Sequence, residues 1–341
     1  MSPRRNWPLF GKLSEDLRTV VPDAGQRVAC PVCLGFFDAD DYRSGQLTRG
    51  HIIPEATGGK SYTLVCRACN SKLGSDQDAE LKKLSDYVRM TRGPGLPRGT
   101  KRRVPITMSE QKLDADLILG NGATDVGMTI AVSRANAPER LQEVRRTLGA
   151  KRDRLSVSLH FPMNIRMAEV GILTAAYLEA FRLFGYWFIL NSNLDIVREQ
   201  ILNARADVLN ETACMEWPPQ PEISLRAFLV IEPDSLQCVA FRFLNRTVVL
   251  PMAEDRDASI YSKMGVYIRN KDKLGLAWPP TMRVVEIATG WRSRPVVARK
   301  EGDERPITYA HPDAGAVARM SAVPVAELPW IEDAPIWARS A

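Results

Sequence analysis

The chain has 341 residues, of which 45% are hydrophobic and 25% are charged, a composition typical of a globular protein with room for two or three domains. No apolar run reaches the roughly 18 residues of a membrane span, and residues 1–13 lack the apolar core of a secretion signal. We therefore expect a cytoplasmic protein with no membrane partner. The net charge is +6, and residues 1–105 hold 18 lysines and arginines against 11 aspartates and glutamates, which indicates a polyanionic partner for this part.

Two C-x-x-C pairs, Cys30/Cys33 and Cys66/Cys69, enclose a segment of 32 residues. Thiolates three positions apart in a tight turn can face one ion, so two such turns complete a tetrahedral four-sulfur site with no open position for substrate. We predict that this ion is a structural Zn²⁺. Any chemistry would then belong to the enclosed segment.

The enclosed segment predicts a short strand over residues 46–54 and a loop over residues 55–59. A second strand at residues 64–65 and a helix from Arg67 onward follow. This order, with G-H-I-I-P ahead of C-x-x-C-N, resembles the ββα-metal core of HNH endonucleases held by four cysteines, over about residues 28–80. The resemblance implies a phosphodiester hydrolase in which His51 is the general base and Asn70 helps to hold a catalytic Mg²⁺ or Mn²⁺.

The chemistry of these residue types agrees with the resemblance. A neutral imidazole can accept a proton at cellular pH, and a hard cation with oxygen ligands would neutralise charge on the phosphate. The sequence departs from the family at Gly50, where an acidic residue or histidine usually binds the metal. The family's middle asparagine is also absent from residues 61–63.

Asp78 is our candidate for the missing acidic ligand, because related sequences often carry an acid after the C-N…L-G run. Asp76 and Glu55 are alternatives. In the other interpretation, Ser75 caps a new helix, and the acidic residues at positions 76, 78 and 80 favour its first turn.

Four basic residues lie nearest the motif and are predicted to contact DNA phosphates. They are Arg49, Lys60, Arg67 and Lys72. A solvated charged surface is the alternative for each of them.

The rest of the chain predicts ordinary secondary structure. A helix over residues 78–90 ends at the Gly- and Pro-rich residues 93–99, and the apolar helix over residues 164–184 carries aromatic residues that are more typical of a core than of a base-stacking platform. Cys214 and Cys238 are expected to be buried hydrophobes, not a disulfide. The other predicted elements are β segments at 104–108, 113–119, 126–132, 155–161, 226–231, 236–250, 265–268 and 283–287, and helices at 138–148 and at 194–202, the latter capped by Ser192.

The predicted fold class is α+β. An N-terminal zinc-stabilised ββα-metal module (1–92) is followed by a Gly/Pro/basic linker (93–103), a larger α+β domain (104–292) and an extended C-terminal tail (293–341). The larger domain shows no functional motif, so it is a candidate for target recognition, for self-association into a homo-oligomer or for binding an activating ligand.

Three functions are compatible with these features. The first is an HNH nuclease that cuts DNA, with defence against foreign DNA as an extension. The second is a zinc-stabilised nucleic-acid-binding protein whose catalysis was lost with the acidic residue at position 50. The third, a zinc-held protein-interaction scaffold, leaves the basic charge unexplained. His51 and Asn70 favour the nuclease, because a binding module needs neither a base nor a metal-facing amide.

Overall fold

The structure is a computed structural model. It describes residues 7–91, 101–108, 110–119, 128–150, 157–159, 162–190, 192–209, 213–216, 222–232, 236–252, 258–266, 283–287, 294–296, 306–310 and 317–322. The described chain combines helices with sheets whose strand pairings are all antiparallel, which confirms the α+β class. The predicted linker at 93–103 lies outside the described residues except for its last three positions.

The helices in chain order are α1 (Trp7–Val20), α2 (Ala39–Arg43), α3 (Arg67–Leu73), α4 (Ala79–Thr91), α5 (Pro138–Ala150), α6 (Ile165–Phe184), α7 (Tyr186–Ile189) and α8 (Asp195–Leu202). The strands are β1 (Val28–Ala29), β2 (Phe36–Phe37), β3 (Leu47–His51), β4 (Tyr62–Cys66), β5 (Lys101–Met108), β6 (Gln111–Leu119), β7 (Met128–Val132), β8 (Val157–Leu159), β9 (Cys214–Glu216), β10 (Glu222–Glu232), β11 (Cys238–Leu244), β12 (Arg246–Pro251), β13 (Arg283–Ile287), β14 (Arg294–Val296), β15 (Pro306–Ala310) and β16 (Val317–Ala322).

The chain divides into two compact units, one of Met1–Lys82 with Ile165–Ala341 and one of Lys83–Asn164. These boundaries differ from those predicted at residues 92, 103 and 292. The reason is that α6, more than 80 residues beyond the cysteine pairs in sequence, packs in the same unit as they do.

In the first unit, β3 and β4 form an antiparallel hairpin whose register pairs Leu47 with Cys66 and His51 with Tyr62. The helix α3 begins directly after β4. The predicted order of strand, loop, strand and helix is therefore confirmed, with β4 longer than the two residues expected.

The helix after Asn70 does not stop where a new one was expected. A π-helical turn, Gly74–Asp78, joins α3 to α4 without a break. Ser75 is not a helix cap, since its hydroxyl donates to the carbonyl of Lys72 inside the turn. The buried Gln77 explains the wide turn: its side chain donates to the carbonyl of Ile201 at 2.8 Å and accepts from the Thr174 hydroxyl at 2.6 Å.

The helix α6 is the centre of the first unit, and 16 of its 20 residues are buried. The expectation that its aromatic residues form core is confirmed for Tyr177, Phe181 and Phe184. A β carbon at Gly171 would come 3.2 Å from Leu81 Cβ, so this glycine lets α6 approach the start of α4 closely.

Two hydroxyls tie α6 and α7 to the first cysteine pair. Tyr177 donates to the carbonyl of Pro31 at 2.6 Å, and Tyr186 donates to the carbonyl of Ala29 while accepting from its amide. Asp16 of α1 accepts from the Tyr186 amide at 2.9 Å. These hydrogen bonds satisfy buried backbone groups beside the cysteine ligands, and their side-chain partners lie far away in the sequence.

A five-stranded antiparallel sheet in the order β13-β10-β11-β12-β9 completes the first unit, together with a small sheet in the order β14-β15-β16. The predicted strand over 236–250 is two strands, because the chain reverses at Leu244, which has a positive φ of 56°. Of the strand predicted at 265–268, residues 265 and 266 are helical instead, and residues 267 and 268 lie outside the described residues.

Two smaller predictions in the first unit have different outcomes. The cap at Ser192 is wrong: α8 begins at Asp195, with Leu194 as N-cap and no side-chain cap bond. The absence of a disulfide between Cys214 and Cys238 is confirmed, with Cys238 buried and Cys214 half-buried. The predicted tail contains the three strands of the small sheet.

The second unit contains α4 from Lys83 onward, α5 and a four-stranded antiparallel sheet in the order β7-β6-β5-β8. Its core contains Val104, Ile106, Leu113, Ala115 and Val144. These strands and the helix agree with the predicted segments. Among the described residues, no helix has the length and apolar character needed to cross a bilayer.

Candidate active site and metal centre

The four cysteines of the C-x-x-C pairs converge on one point. Their sulfur atoms all lie within 4.8 Å of one another, and the Sγ atoms of Cys33 and Cys66 are 3.8 Å apart. Four sulfurs around Zn²⁺ at about 2.3 Å would be separated by about 3.8 Å. The observed spacing therefore fits a tetrahedral zinc site.

Local backbone geometry stabilises the thiolates that such a site needs. Cys66 is the N-cap of α3, and its sulfur accepts from the Cys69 amide at 3.4 Å, while Cys30 accepts from the Cys66 amide at 3.4 Å. The hydrogen bond from Cys30 lowers the pKa of the Cys33 thiol to about 5 and that of the Cys66 thiol to about 6, while the same bonds raise the pKa of the Cys30 thiol. Cys30, Cys66 and Cys69 are buried, as expected of a structural site.

His51 is the last residue of β3 and lies directly opposite Tyr62. Its side chain is 31% exposed, so water and a substrate can reach the imidazole. The carboxylate of Glu55 lies 3.8 Å from His51 Nε2 and is itself exposed. The structure thus brings together a histidine and a carboxylate that are four residues apart.

Gly50 occupies the neighbouring position on the opposite face of β3. A β carbon at Gly50 would approach Val65 Cγ2 to 2.7 Å and Asn70 Oδ1 to 3.3 Å. Asn70 is held there because its Nδ2 donates to the carbonyl of Arg49 at 3.2 Å. The asparagine oxygen therefore faces position 50, where this chain offers no carboxylate.

Asp78 lies in the π-helical turn, eight residues beyond Asn70. Helical side chains lean toward the N-terminus of their helix, so the Asp78 carboxyl points toward the turn that contains Gly74. Burial raises the pKa of the Asp78 carboxyl to about 6. Asp76, in the same turn, accepts a hydrogen bond from Ser75. The Asp78 carboxylate reaches back along the helix, with Oδ2 3.9 Å from the β-carbon position of Gly74, and Glu55 lies beside His51.

The four predicted phosphate contacts have different surroundings. Lys60, Arg67 and Lys72 are exposed. Arg49 is half-buried, and its guanidinium carbon lies 3.6 Å from the centroid of the Tyr62 ring. Sequence reasoning missed Tyr62, because its position beside Arg49 and His51 depends on the register of the hairpin.

Comparison with protein families gives a match to the HNH endonuclease model over residues 39–85. Comparisons with curated proteins and with solved structures give no match. The matched residues contain β3, β4, α3 and the second cysteine pair, and the first cysteine pair lies just before them. Residues 39–85 therefore match an HNH endonuclease segment, and the four cysteines that could hold a metal ion lie within and just before it.

Proposed function

We propose that this protein is a metal-dependent HNH endonuclease that hydrolyses DNA phosphodiester bonds. The observation that carries the proposal is the family match over residues 39–85. The matched segment contains β3, which ends at the solvent-accessible His51, and it overlaps the four-cysteine cluster. The match alone gives the class of chemistry. The accessible imidazole supplies a group able to perform it.

In the proposed reaction, His51 takes a proton from the water that attacks the phosphorus. An imidazole that carries its proton on Nε2, the nitrogen facing Glu55, has Nδ1 available as the acceptor. General-base assistance of this kind contributes about 10²- to 10⁴-fold to a rate.

A divalent Mg²⁺ or Mn²⁺ ion, when bound, would neutralise charge on the phosphate and the leaving oxygen. Asn70 Oδ1 is suited to hold it, since Nδ2 donates to the Arg49 carbonyl while Oδ1 accepts no hydrogen bond from a described residue. We propose Glu55 rather than Asp78 as the acidic ligand of this ion, because Glu55 lies beside His51. The zinc of the four cysteines has no open position and would serve the fold alone.

DNA is the proposed substrate because the first 105 residues carry the basic excess of the chain. We extend the proposal to defence against foreign DNA in the cytoplasm, where reducing conditions preserve the thiolate ligands. The part of the chain after residue 103 would then provide target recognition, self-association or the binding of an activating ligand.

A second function is favoured by one observation. The contact of position 50 with Val65 leaves no space for the usual acidic ligand without rearrangement. This supports a zinc-stabilised nucleic-acid-binding protein in which catalysis is weakened. The two functions differ in a single measurable property, which is cleavage dependent on His51.

Cleavage of supercoiled plasmid and of linear DNA, with Mg²⁺ or Mn²⁺, tests the proposal. The native chain is compared with His51→Ala and with His160→Ala, a histidine outside the HNH segment. Zinc content is measured for each variant, so that a misfolded segment is recognised. Nicking by the native chain and by His160→Ala, with a loss of about 100-fold or more in His51→Ala, supports the nuclease. DNA binding without cleavage by any of the three supports the binding protein.

A further inference from the structure

We infer that Arg49, held in position by Tyr62, contacts the phosphate that is attacked at His51. This inference rests on the proposed function and specifies how the same site binds its substrate. Arg49 would supply the fixed positive charge on the His51 face of the hairpin. Tyr62 would be a positioning residue that acts through the guanidinium.

The strand pattern places the three side chains together. Side chains two residues apart in a strand lie on one face, roughly 7 Å from each other, so Arg49 and His51 share a face of β3. Tyr62 is paired directly with His51 across the hairpin and therefore points to the same face. The imidazole and the guanidinium therefore point to the same face of the hairpin.

The guanidinium of Arg49 is fixed before any ligand binds. Its carbon lies 3.6 Å from the Tyr62 ring centroid, which is a face-on cation–π contact. The Arg49 backbone is fixed as well, since its carbonyl accepts from Asn70. Because the side chain is ordered by stacking, little conformational freedom remains to be lost when it binds an anion.

The charge of Arg49 is not used by the protein itself. No carboxylate among the described residues pairs with this guanidinium, and its buried Nε has no hydrogen-bond partner there. An arginine that is stacked, partly buried and unpaired is well suited to bidentate binding of a phosphate. Lys60, Arg67 and Lys72 are exposed instead, as expected of contacts that add non-specific affinity.

The charge of Arg49 matters more because the opposite face of β3 offers no acidic metal ligand. At position 50 the chain has a glycine packed against Val65, so no carboxylate is present to help bind a metal ion there. Positive charge near the reacting phosphate would therefore come in greater part from Arg49. Removal of a preorganised group of this kind commonly lowers kcat about 10²- to 10³-fold.

Kinetics of Arg49 and Tyr62 variants provide the first test. We expect Arg49→Ala to lower kcat at least about 100-fold, while the Kd for duplex DNA changes by less than about threefold. Arg49→Lys should recover little, because an ammonium group cannot bind in a bidentate manner. Tyr62→Phe should retain activity, since the ring remains, whereas Tyr62→Leu should lose about tenfold in kcat. Arg18→Ala, at an exposed arginine of α1, is the control and should be unchanged.

Labelling with phenylglyoxal provides a second test that does not depend on cleavage. The reagent modifies guanidinium groups, and mass spectrometry measures its reaction at Arg49 and Arg18 with and without duplex DNA, in the absence of added Mg²⁺ or Mn²⁺. Protection of Arg49 but not of Arg18 supports the contact. Equal reaction of Arg49 in both samples overturns the inference even if the native chain cuts DNA.

The two tests separate the inference from the proposed function. If the native chain cleaves and Arg49→Ala alters only KM, or nothing, the inference is overturned and the nuclease stands. If the native chain does not cleave but DNA protects Arg49, the nuclease fails while the phosphate contact stands. Activity of Tyr62→Leu equal to that of the native chain would overturn the positioning role.

Discussion

Gly50 packs directly against Val65, so that a β carbon at position 50 would come 2.7 Å from Val65 Cγ2. Real β carbons do not approach other atoms this closely, and the Val65 side chain in β4 is fully buried. Packing therefore requires glycine at position 50, and a glycine offers no side chain to bind a metal ion. Restoring an acidic side chain at position 50 requires that Val65 be made smaller.

We predict that Gly50→Ala destabilises the protein by about 1–3 kcal/mol, because the added methyl group overpacks a buried site. Gly11→Ala is the matched control, since nothing lies within 4 Å of its β carbon position in α1, and it should be neutral or stabilising. Thermal unfolding measures both variants. Equal stability of the two variants would show that Val65 shifts to accommodate the added methyl group, which would contradict a packing requirement for glycine.

The same contact leads to a prediction about activity. Gly50→Asp alone should not increase cleavage, whereas Gly50→Asp combined with Val65→Ala should bind Mg²⁺ more tightly and cut plasmid faster than Val65→Ala alone. The reason is that only the double variant has space for a carboxylate beside Asn70 Oδ1. Faster cleavage by the single variant would contradict this explanation.

The metal centre gives a prediction about composition and stability. The native chain should contain one zinc ion per molecule, and Cys66→Ser should lose it together with several kcal/mol of stability, because a structural zinc ion contributes directly to folding. Elemental analysis and thermal unfolding measure these effects. Cys238→Ser is the control for loss of a thiol, since Cys238 is buried in β11 away from the cluster. Full zinc content in Cys66→Ser would contradict the four-cysteine site.

Local patterns were sufficient to predict the ligands and the hairpin of this site. The C-x-x-C spacing and the G-H-I-I-P run act within a few residues of each other, so the sequence carries them directly. The π-helical turn could not be predicted in this way, because Gln77 is held by Thr174 and Ile201, both about 100 residues or more away. Residues 265 and 266 were expected in a strand but are helical. A short apolar run alone does not distinguish a strand from a buried helix.

The link between Tyr177 and Pro31 is another feature without a local signal, since 146 residues separate them. The hydroxyl of Tyr177 is buried, donates to the Pro31 carbonyl and accepts from Arg198 Nη1 at 3.2 Å. We predict that Tyr177→Phe lowers the free energy of unfolding by about 1–3 kcal/mol, because two buried polar groups lose a partner.

The effect of Tyr177→Phe should extend to the metal centre. Pro31 lies between the ligands Cys30 and Cys33, so release of its carbonyl should speed the loss of zinc to a chelator. Tyr87→Phe, at a tyrosine that is 36% exposed, is the control. Unchanged zinc loss in Tyr177→Phe would show that α6 supports the fold without supporting the metal centre.

The last prediction concerns Asp78, whose pKa is raised to about 6 by burial. The folded chain binds this proton more tightly than the unfolded chain, in which the pKa is about 3.9. Below pH 4 the carboxyl is neutral in both states, so the group does not oppose folding. As the pH rises through 6, the folded chain holds a partly buried charge, and stability falls. Because the carboxylate retains contact with solvent, we expect a loss on the order of 1 kcal/mol.

Asp78→Asn should therefore be more stable than the native chain at pH 7.5 and nearly equal to it at pH 4. Thermal unfolding across this range, with Asp76→Asn as the control for the same turn, measures the difference. If Asp78 instead binds the catalytic ion with Asn70, added Mg²⁺ should stabilise the native chain at pH 7.5, and Asp78→Asn should abolish that gain. We expect the Mg²⁺ effect to survive in Asp78→Asn, because Glu55, beside His51, is the acidic ligand that we propose.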